Sequence, residues 1–157
     1  MSRTIVETLI PAINNSTALL KKLIDACPEN IWNEKIGGWP VWQHVTHSVS
    51  ASDLFAPGPR TSFKEPLTPE LVRMAVPGNQ PVPKSVVLEY FQDVEKKVSD
   101  FLASVTDEDL PKANENTAKV GLNWTLGQTL MNFSSHQLYH LGYADALLRN
   151  NGLKGIY

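Results

Sequence analysis

Residues 124–140, WTLGQTLMNFSSHQLYH, belong to the segment that decides the fold. Thr125 and Gln128 form a Thr-x-x-Gln capping box, which is typical of a helix that begins at the next residue. The predicted helix continues to about residue 150, and Gly152 suits its end because glycine readily adopts a left-handed conformation. From Val120 to Ala144 the segment contains no Asp, Glu, Lys or Arg. A helix without charge over that length is not expected to face water on all sides.

This charge-free helix has two explanations. Central burial in a helical bundle accounts for it without any partner. A homodimer interface that covers the outer side of the helix is the alternative. A membrane span is excluded because polar side chains such as Asn132 and Gln137 interrupt the apolar residues.

Three further segments have apolar residues at helical spacing. They cover residues 3–26, 40–55 and 84–105. Residues 56–83 hold seven of the eleven prolines, so a long regular helix does not fit there. Within this stretch, Thr68 and Pro69 predict one short helix with Thr68 as its N-cap. We find no strand candidate with a convincing alternation of apolar and polar residues.

These segments predict an all-α fold, a four-helix bundle with up-down-down-up order, in which residues 1–157 form a single domain. Because the first connection is short, we expect the first and second helices to be antiparallel neighbours. The connection between the second and third helices spans about 28 residues, enough to cross a helix roughly 30 Å long. The third helix is therefore expected to start at the same end of the bundle as the second.

The composition excludes several classes of protein. Apolar residues make up 42% of the 157 residues, which is enough for a core and argues against disorder. A net charge of -2 lacks the basic surplus of a nucleic-acid-binding protein. The single cysteine, Cys27, excludes an internal disulfide and a cysteine-rich metal cluster. With no signal-like start and no membrane-spanning run, we expect a cytoplasmic protein that contacts neither nucleic acid nor membrane.

All four histidines fall within the second and fourth predicted helices, at His44, His47, His136 and His140. His136 and His140 are four residues apart, so on a helix they project from one face and are able to share a metal ion. Two imidazoles from one helix and one from the other would leave coordination positions open, as in catalytic metal sites. Zinc, nickel, iron and copper all suit imidazole. The alternative is that these are structural histidines in the core or at the surface.

Motifs of other catalytic sites are missing from the sequence. Gln137 stands where a metalloprotease of the His-Glu-x-x-His type has its general-base glutamate. No acid is placed to orient a histidine in a Ser-His-Asp triad. Trp42 and two neighbouring tryptophans either line a pocket near His47 or pack at the end of the bundle. Tyr143 either donates a hydrogen bond to a bound ligand or serves as a core aromatic.

Three stretches together resemble the DinB/YfiT-like superfamily of metal-dependent enzymes. They are PVWQHVTH at residues 40–47, WTLGQ at 124–128 and HQLYHLG at 136–142. The order of elements, the long connection and the total length are also similar, so the resemblance covers essentially the whole chain. It implies a bundle in which one histidine of the second helix and a His-x-x-x-His pair of the fourth bind a divalent metal. Carried over, the ligands are His47, His136 and His140, with zinc expected first and nickel or iron as alternatives.

The resemblance leaves two positions open. His44 falls where the family usually has an apolar residue, so it lies beside the ligands, together with Trp42 and Tyr143, or replaces His47 one turn away. Leu141-Gly142-Tyr143 departs from the x-Gly-Gln that often follows the pair in the family, and no glutamine stands there to act. Family members are often dimeric, which implies a homodimer.

The resemblance also implies a reaction. Some members are metal-dependent transferases that join a low-molecular-weight thiol to an electrophile, so the first hypothesis is a thiol S-transferase with a small-molecule substrate. The second hypothesis is a non-catalytic bundle that binds a small ligand or a partner. The third is metal-dependent hydrolysis by activated water, which the same ligands would serve.

Overall fold

The computed structural model describes residues 2–157, most of which are helical. Seven α-helices lie within these residues: α1 (Thr4–Ala26), α2 (Glu29–Trp32), α3 (Val41–Phe55), α4 (Pro69–Val72), α5 (Lys84–Ser104), α6 (Glu115–Ala118) and α7 (Leu126–Asn150). A single 3-10 turn, Asp107–Asp109, follows α5. The predicted helical fold is confirmed, and the four long helices match the predicted segments to within one residue at either end. Both predicted caps form, since Thr68 and Thr125 accept hydrogen bonds from the backbone of the following helix.

A small hairpin was not predicted. β1 (Lys35–Ile36) and β2 (Trp39–Pro40) pair antiparallel around Gly37 and Gly38. Both glycines have positive φ, 62° and 90°, which side-chain-bearing residues rarely adopt. The prediction that the chain has no strand is wrong here because strands of two residues carry no alternation to detect.

The four long helices form a bundle in which each packs against two others. α3 packs against α7 and α5, and α1 packs against the same two helices. α1 and α3 therefore lie diagonally across the bundle, and the prediction that they are neighbours is wrong. The connection between them contains α2 and the hairpin, which makes it long enough to reach the diagonal position.

α7 has one buried side and one exposed side. It packs against α3 and α1, while its outer side exposes Met131, Leu138 and Tyr139 at 67%, 37% and 59%. Central burial therefore explains only the inner half of the charge-free segment. Within residues 2–157, no helix combines the length and the apolar character that crossing a membrane requires.

Asp53, near the end of α3, anchors the start of the long connection. Its buried carboxylate accepts hydrogen bonds from Arg60, from Thr61 and, at 2.8 Å, from the ammonium group of Lys97 on α5. Burial acts to raise the pKa of Asp53, but the hydrogen bonds and charges of Lys97 and Arg60 hold it below its ordinary value. The carboxylate thus joins two helices and the connection.

Replacing Asp53 with Asn is expected to lower the free energy of unfolding by about 3–5 kcal/mol, because it leaves a buried ion pair broken. Wild-type stability is also expected to decrease as the pH falls below 3.8, since the unfolded carboxyl takes up a proton there that the folded one resists. Urea denaturation at pH 7 and pH 3 measures both effects. Asp100→Asn is the control, because its exposed pair with Lys96 contributes less than about 1 kcal/mol. Equal stabilities of the two variants would contradict the assignment.

Candidate metal centre

Three histidines from two helices converge in the bundle. His47 on α3 and His136 and His140 on α7 each present one ligand nitrogen, and these atoms lie within 4.8 Å of one another. The centroids of the three rings are 4.8 to 5.1 Å apart. The four-residue spacing on α7 turns both imidazoles toward α3, against which α7 packs. The structure thus brings together the three residues that the sequence analysis named as ligands.

Hydrogen bonding leaves ligand nitrogens available on these rings. His47 Nδ1 lies 3.0 Å from the carbonyl oxygen of Val72. Because a carbonyl only accepts, Nδ1 carries the proton and Nε2 keeps its lone pair. His136 Nδ1 is buried and has no hydrogen-bond partner within residues 2–157. Buried polar atoms without partners are rare, so this nitrogen fits contact with a metal ion or another ligand.

His44 determines which nitrogen of His140 is free. His44 Nε2 donates to the carbonyl oxygen of Ile36 in β1 at 3.1 Å, and His44 Nδ1 lies 3.1 Å from His140 Nδ1. In a neutral His44 ring, Nδ1 then carries the lone pair and accepts a hydrogen bond from His140 Nδ1. His140 Nε2 is therefore left without a proton. His44 lies beside the three histidines and orients one of them.

Burial keeps the four imidazoles uncharged at neutral pH. Burial lowers the pKa of His44 and of His47 below the ordinary value of 6.5. Burial and the neighbouring rings lower the pKa of His136 to about 4 and that of His140 to about 2. Neutral imidazole is the form that binds metal ions, so binding at pH 7 has no proton to displace from these rings.

The metal-free protein is expected to lose stability as the pH falls from about 6.5 toward 4. In that range the unfolded chain protonates its histidines while the folded rings of His136 and His140 stay neutral, so protons favour the unfolded state. Urea denaturation of chelator-treated protein at pH 7.5 and pH 5 measures the loss. A variant with glutamine at both positions is expected to lose less. Imidazole NMR signals that titrate near pH 6.5 in the folded protein would be incompatible with this account.

A buried glutamine attaches the loop after α4 to α3. Gln43 Nε2 donates to the carbonyl oxygens of Leu71 and Val76 at 2.7 and 2.8 Å, and Gln43 Oε1 accepts from the N–H of Gly78 at 2.7 Å. All the hydrogen-bonding groups of the amide but one lone pair are used, which fits its full burial. The end of α4 and the loop after it are thereby held in place, and the Val72 carbonyl is positioned to orient His47.

Trp42 and Tyr143, both named from the sequence, lie in different places. Trp42 is in the core, only 1% exposed, and a Cβ at Gly78 would come within 2.1 Å of its ring. Packing, rather than lining a pocket, is therefore the role of Trp42. Tyr143 stacks on His44 with ring centroids 5.0 Å apart and an interplanar angle of 15°. Its hydroxyl lies 3.1 Å from that of Tyr139, at the surface.

A cleft of about 380 Å³ opens beside His47 and His136. Its walls combine apolar side chains, one serine and two arginines, and within residues 2–157 no carboxylate lines it. The walls, apart from the two histidines, are Ser50, Ala51, Leu54, Phe55, Arg60, Arg73, Val120, Leu122 and Trp124. No sequence pattern indicated these arginines, because they stand in the proline-rich connection, far from the histidines in sequence.

Other reactive side chains do not join the three histidines. Gln137 hydrogen-bonds to Ser16 on α1 and to Ser52 on α3, and its neutral amide has no basicity to serve as a general base. Burial raises the pKa of Cys27 to about 11, which disfavours the thiolate that a nucleophile needs.

A known protein family matches most of the chain. The family model of the DinB superfamily matches residues 12–144, a range that includes all four histidines. Neither the comparison with curated proteins nor the one with solved structures returns a match.

Proposed function

Since the chain belongs to the DinB superfamily, we propose that it is a metal-dependent thiol S-transferase in which His47, His136 and His140 hold one divalent ion. The observation that carries the proposal is the convergence of three neutral imidazoles, two of which, His47 and His136, line an open cleft. Three imidazole nitrogens suit zinc first, with nickel and iron as alternatives. The unpartnered Nδ1 of His136 and the lone pairs left on the other two rings fit such an ion.

The bound ion would supply positive charge that lowers the pKa of a thiol and stabilises its thiolate form. In the overall reaction the S–H bond breaks and its proton passes to solvent. A bond forms between the sulfur and the electrophilic carbon, whose leaving group departs with the bonding electron pair. The neutral ligands of this chain contribute no negative charge that would offset the ion.

The lining of the cleft supports thiol transfer over hydrolysis. Metal-dependent hydrolysis commonly uses a nearby carboxylate as the general base that takes a proton from water. Within residues 2–157 no Asp or Glu lines the cleft, and Gln137 is held by Ser16 and Ser52. A thiol is far more acidic than water, so it depends less on such a base.

The proposal includes the up-down-down-up order of the long helices. Ser16 contacts Gln137, and Lys22 farther along α1 contacts Ile156 beyond the end of α7, so α1 and α7 run in the same direction, opposite to α3. Arg3 donates a hydrogen bond to a backbone carbonyl just after α5, which indicates that α1 and α5 are antiparallel. His44 lies beside Tyr143 and Phe55 lies beside Phe133, so α3 and α7 are antiparallel as well.

Elemental analysis of the purified full-length chain is expected to find one divalent ion per chain. His136→Ala and His140→Ala are expected to abolish binding, since each removes one of three ligands. His44→Phe is expected to keep the ion but to weaken its affinity about 10- to 100-fold, because the variant no longer orients the His140 ring. Tyr139→Phe, an exposed neighbour of His140, is the control. Full metal content in His140→Ala would refute the ligand assignment.

The zinc-loaded protein is expected to accelerate the conjugation of a small thiol such as cysteine with 1-chloro-2,4-dinitrobenzene. The rate is expected to return to the uncatalysed value in His140→Ala, because that variant cannot hold the ion. Hydrolysis of 4-nitrophenyl acetate without thiol is measured in parallel. Ester hydrolysis without conjugation would favour the hydrolase, and neither reaction with a panel of thiols and electrophiles would favour a non-catalytic binding protein.

We also propose that two copies of the chain associate through the outer side of α7. This side exposes Met131, Leu138 and Tyr139 and carries no charge before Asp145, so two copies meet without like-charge repulsion. Light scattering after gel filtration is expected to give the mass of a dimer. Met131→Glu is expected to give a monomer, whereas Leu153→Glu, outside α7, is expected to leave the dimer intact. A monomeric wild-type chain would refute this interface.

A further inference from the structure

A second depression of about 550 Å³ adjoins the cleft beside the histidines. The two cavities share four lining residues and are therefore adjacent, and together they are called the groove. The shared residues are Leu54, Arg60, Arg73 and Val120. Farther from the histidines the groove is lined by Lys119 and Glu115.

The positive charge of this groove is only partly balanced. Arg60 is paired with the buried Asp53. Arg73 is exposed and makes no side-chain hydrogen bond or ion pair within residues 2–157. The Glu70 carboxyl feels the charge of Arg73, but the two groups are too far apart to form an ion pair. Lys119 likewise lacks an ion-pair partner in that range. Arg73 is therefore the guanidinium of the groove that is available to an incoming anion.

The backbone holds Arg73 close to the histidines. Its neighbour Val72 accepts the hydrogen bond of His47, and Gln43 binds the loop on both sides of these residues. Arg73 therefore follows directly after the residue whose carbonyl contacts His47, one of the proposed metal ligands. The cleft that Arg73 shares with His47 and His136 also has the apolar side chains of Leu122 and Trp124 in its walls.

We propose that the groove binds a small acid with an apolar body, whose carboxylate is held by Arg73 and whose other end lies at His47 and His136. A planar guanidinium matches a carboxylate with two parallel hydrogen bonds, which a lysine cannot do. The apolar walls cover the body of the molecule. The idea that the acid reacts at its end near the histidines rests on the proposed function. The carboxylate site at Arg73 does not depend on that function.

Binding of 3-phenylpropionate and of its uncharged amide to the full-length zinc-loaded chain tests the proposal by calorimetry. The acid is expected to bind about tenfold more tightly than the amide, which corresponds to one charge-assisted hydrogen-bonded pair. Arg73→Gln is expected to remove this preference. Lys96→Gln, which makes the same change of charge on α5 outside the groove, is expected to keep it. The same titrations on chelator-treated protein separate Arg73 from direct contact of the carboxylate with the ion.

An acid preference that survives in Arg73→Gln would overturn the proposal, as would equal binding of acid and amide by the wild type. Circular dichroism checks that Arg73→Gln is folded. We expect no change in the spectrum, because the Arg73 side chain is exposed and has no partners within residues 2–157. A preference lost only in Arg73→Gln, in protein that conjugates no thiol, would uphold the acid site and reject the transferase. Protein that conjugates thiols but binds acid and amide equally would uphold the transferase and reject the acid site.

Discussion

The burial of polar side chains on α3 is the constraint on which the rest of the structure depends. α3 is buried on almost every side, yet it carries Gln43, His44 and Asp53 among its apolar residues. A buried polar group destabilises the fold unless it is hydrogen-bonded, so each of these side chains requires a partner from elsewhere in the chain. Gln43 holds the loop after α4, His44 holds the hairpin and α7, and Asp53 holds the connection and α5.

The same constraint builds the candidate metal centre. Because α4 and the hairpin are held against α3 by its polar residues, backbone carbonyls reach the imidazoles and determine which nitrogens carry protons. Val72 does this for His47, and Ile36 does it for His140 through His44. Packing around these rings keeps them neutral, which is the state that a metal ion requires. The site therefore depends on the positions of two short elements, α4 and the hairpin.

The long connection has two roles that its composition does not reveal. Its prolines prevent a long helix, and the resulting irregular chain covers one side of α3 and provides part of the cleft wall. Arg60 neutralises a buried carboxylate from there, while Arg73 stays without a partner at the cleft. Arg60 thus stabilises the fold, whereas Arg73, 13 positions later, serves the proposed binding of an acid.

The sequence by itself determined the long helices, their caps and the face that His136 shares with His140, because helix periodicity and capping act between residues a few positions apart. The positions of His47 and the pair in the candidate site were likewise predicted. Only the tertiary structure decided that α1 and α3 lie diagonally, that Trp42 packs in the core and that arginines line the cleft. These features depend on contacts between segments distant in sequence, and the energy of such contacts leaves no periodic pattern in the chain.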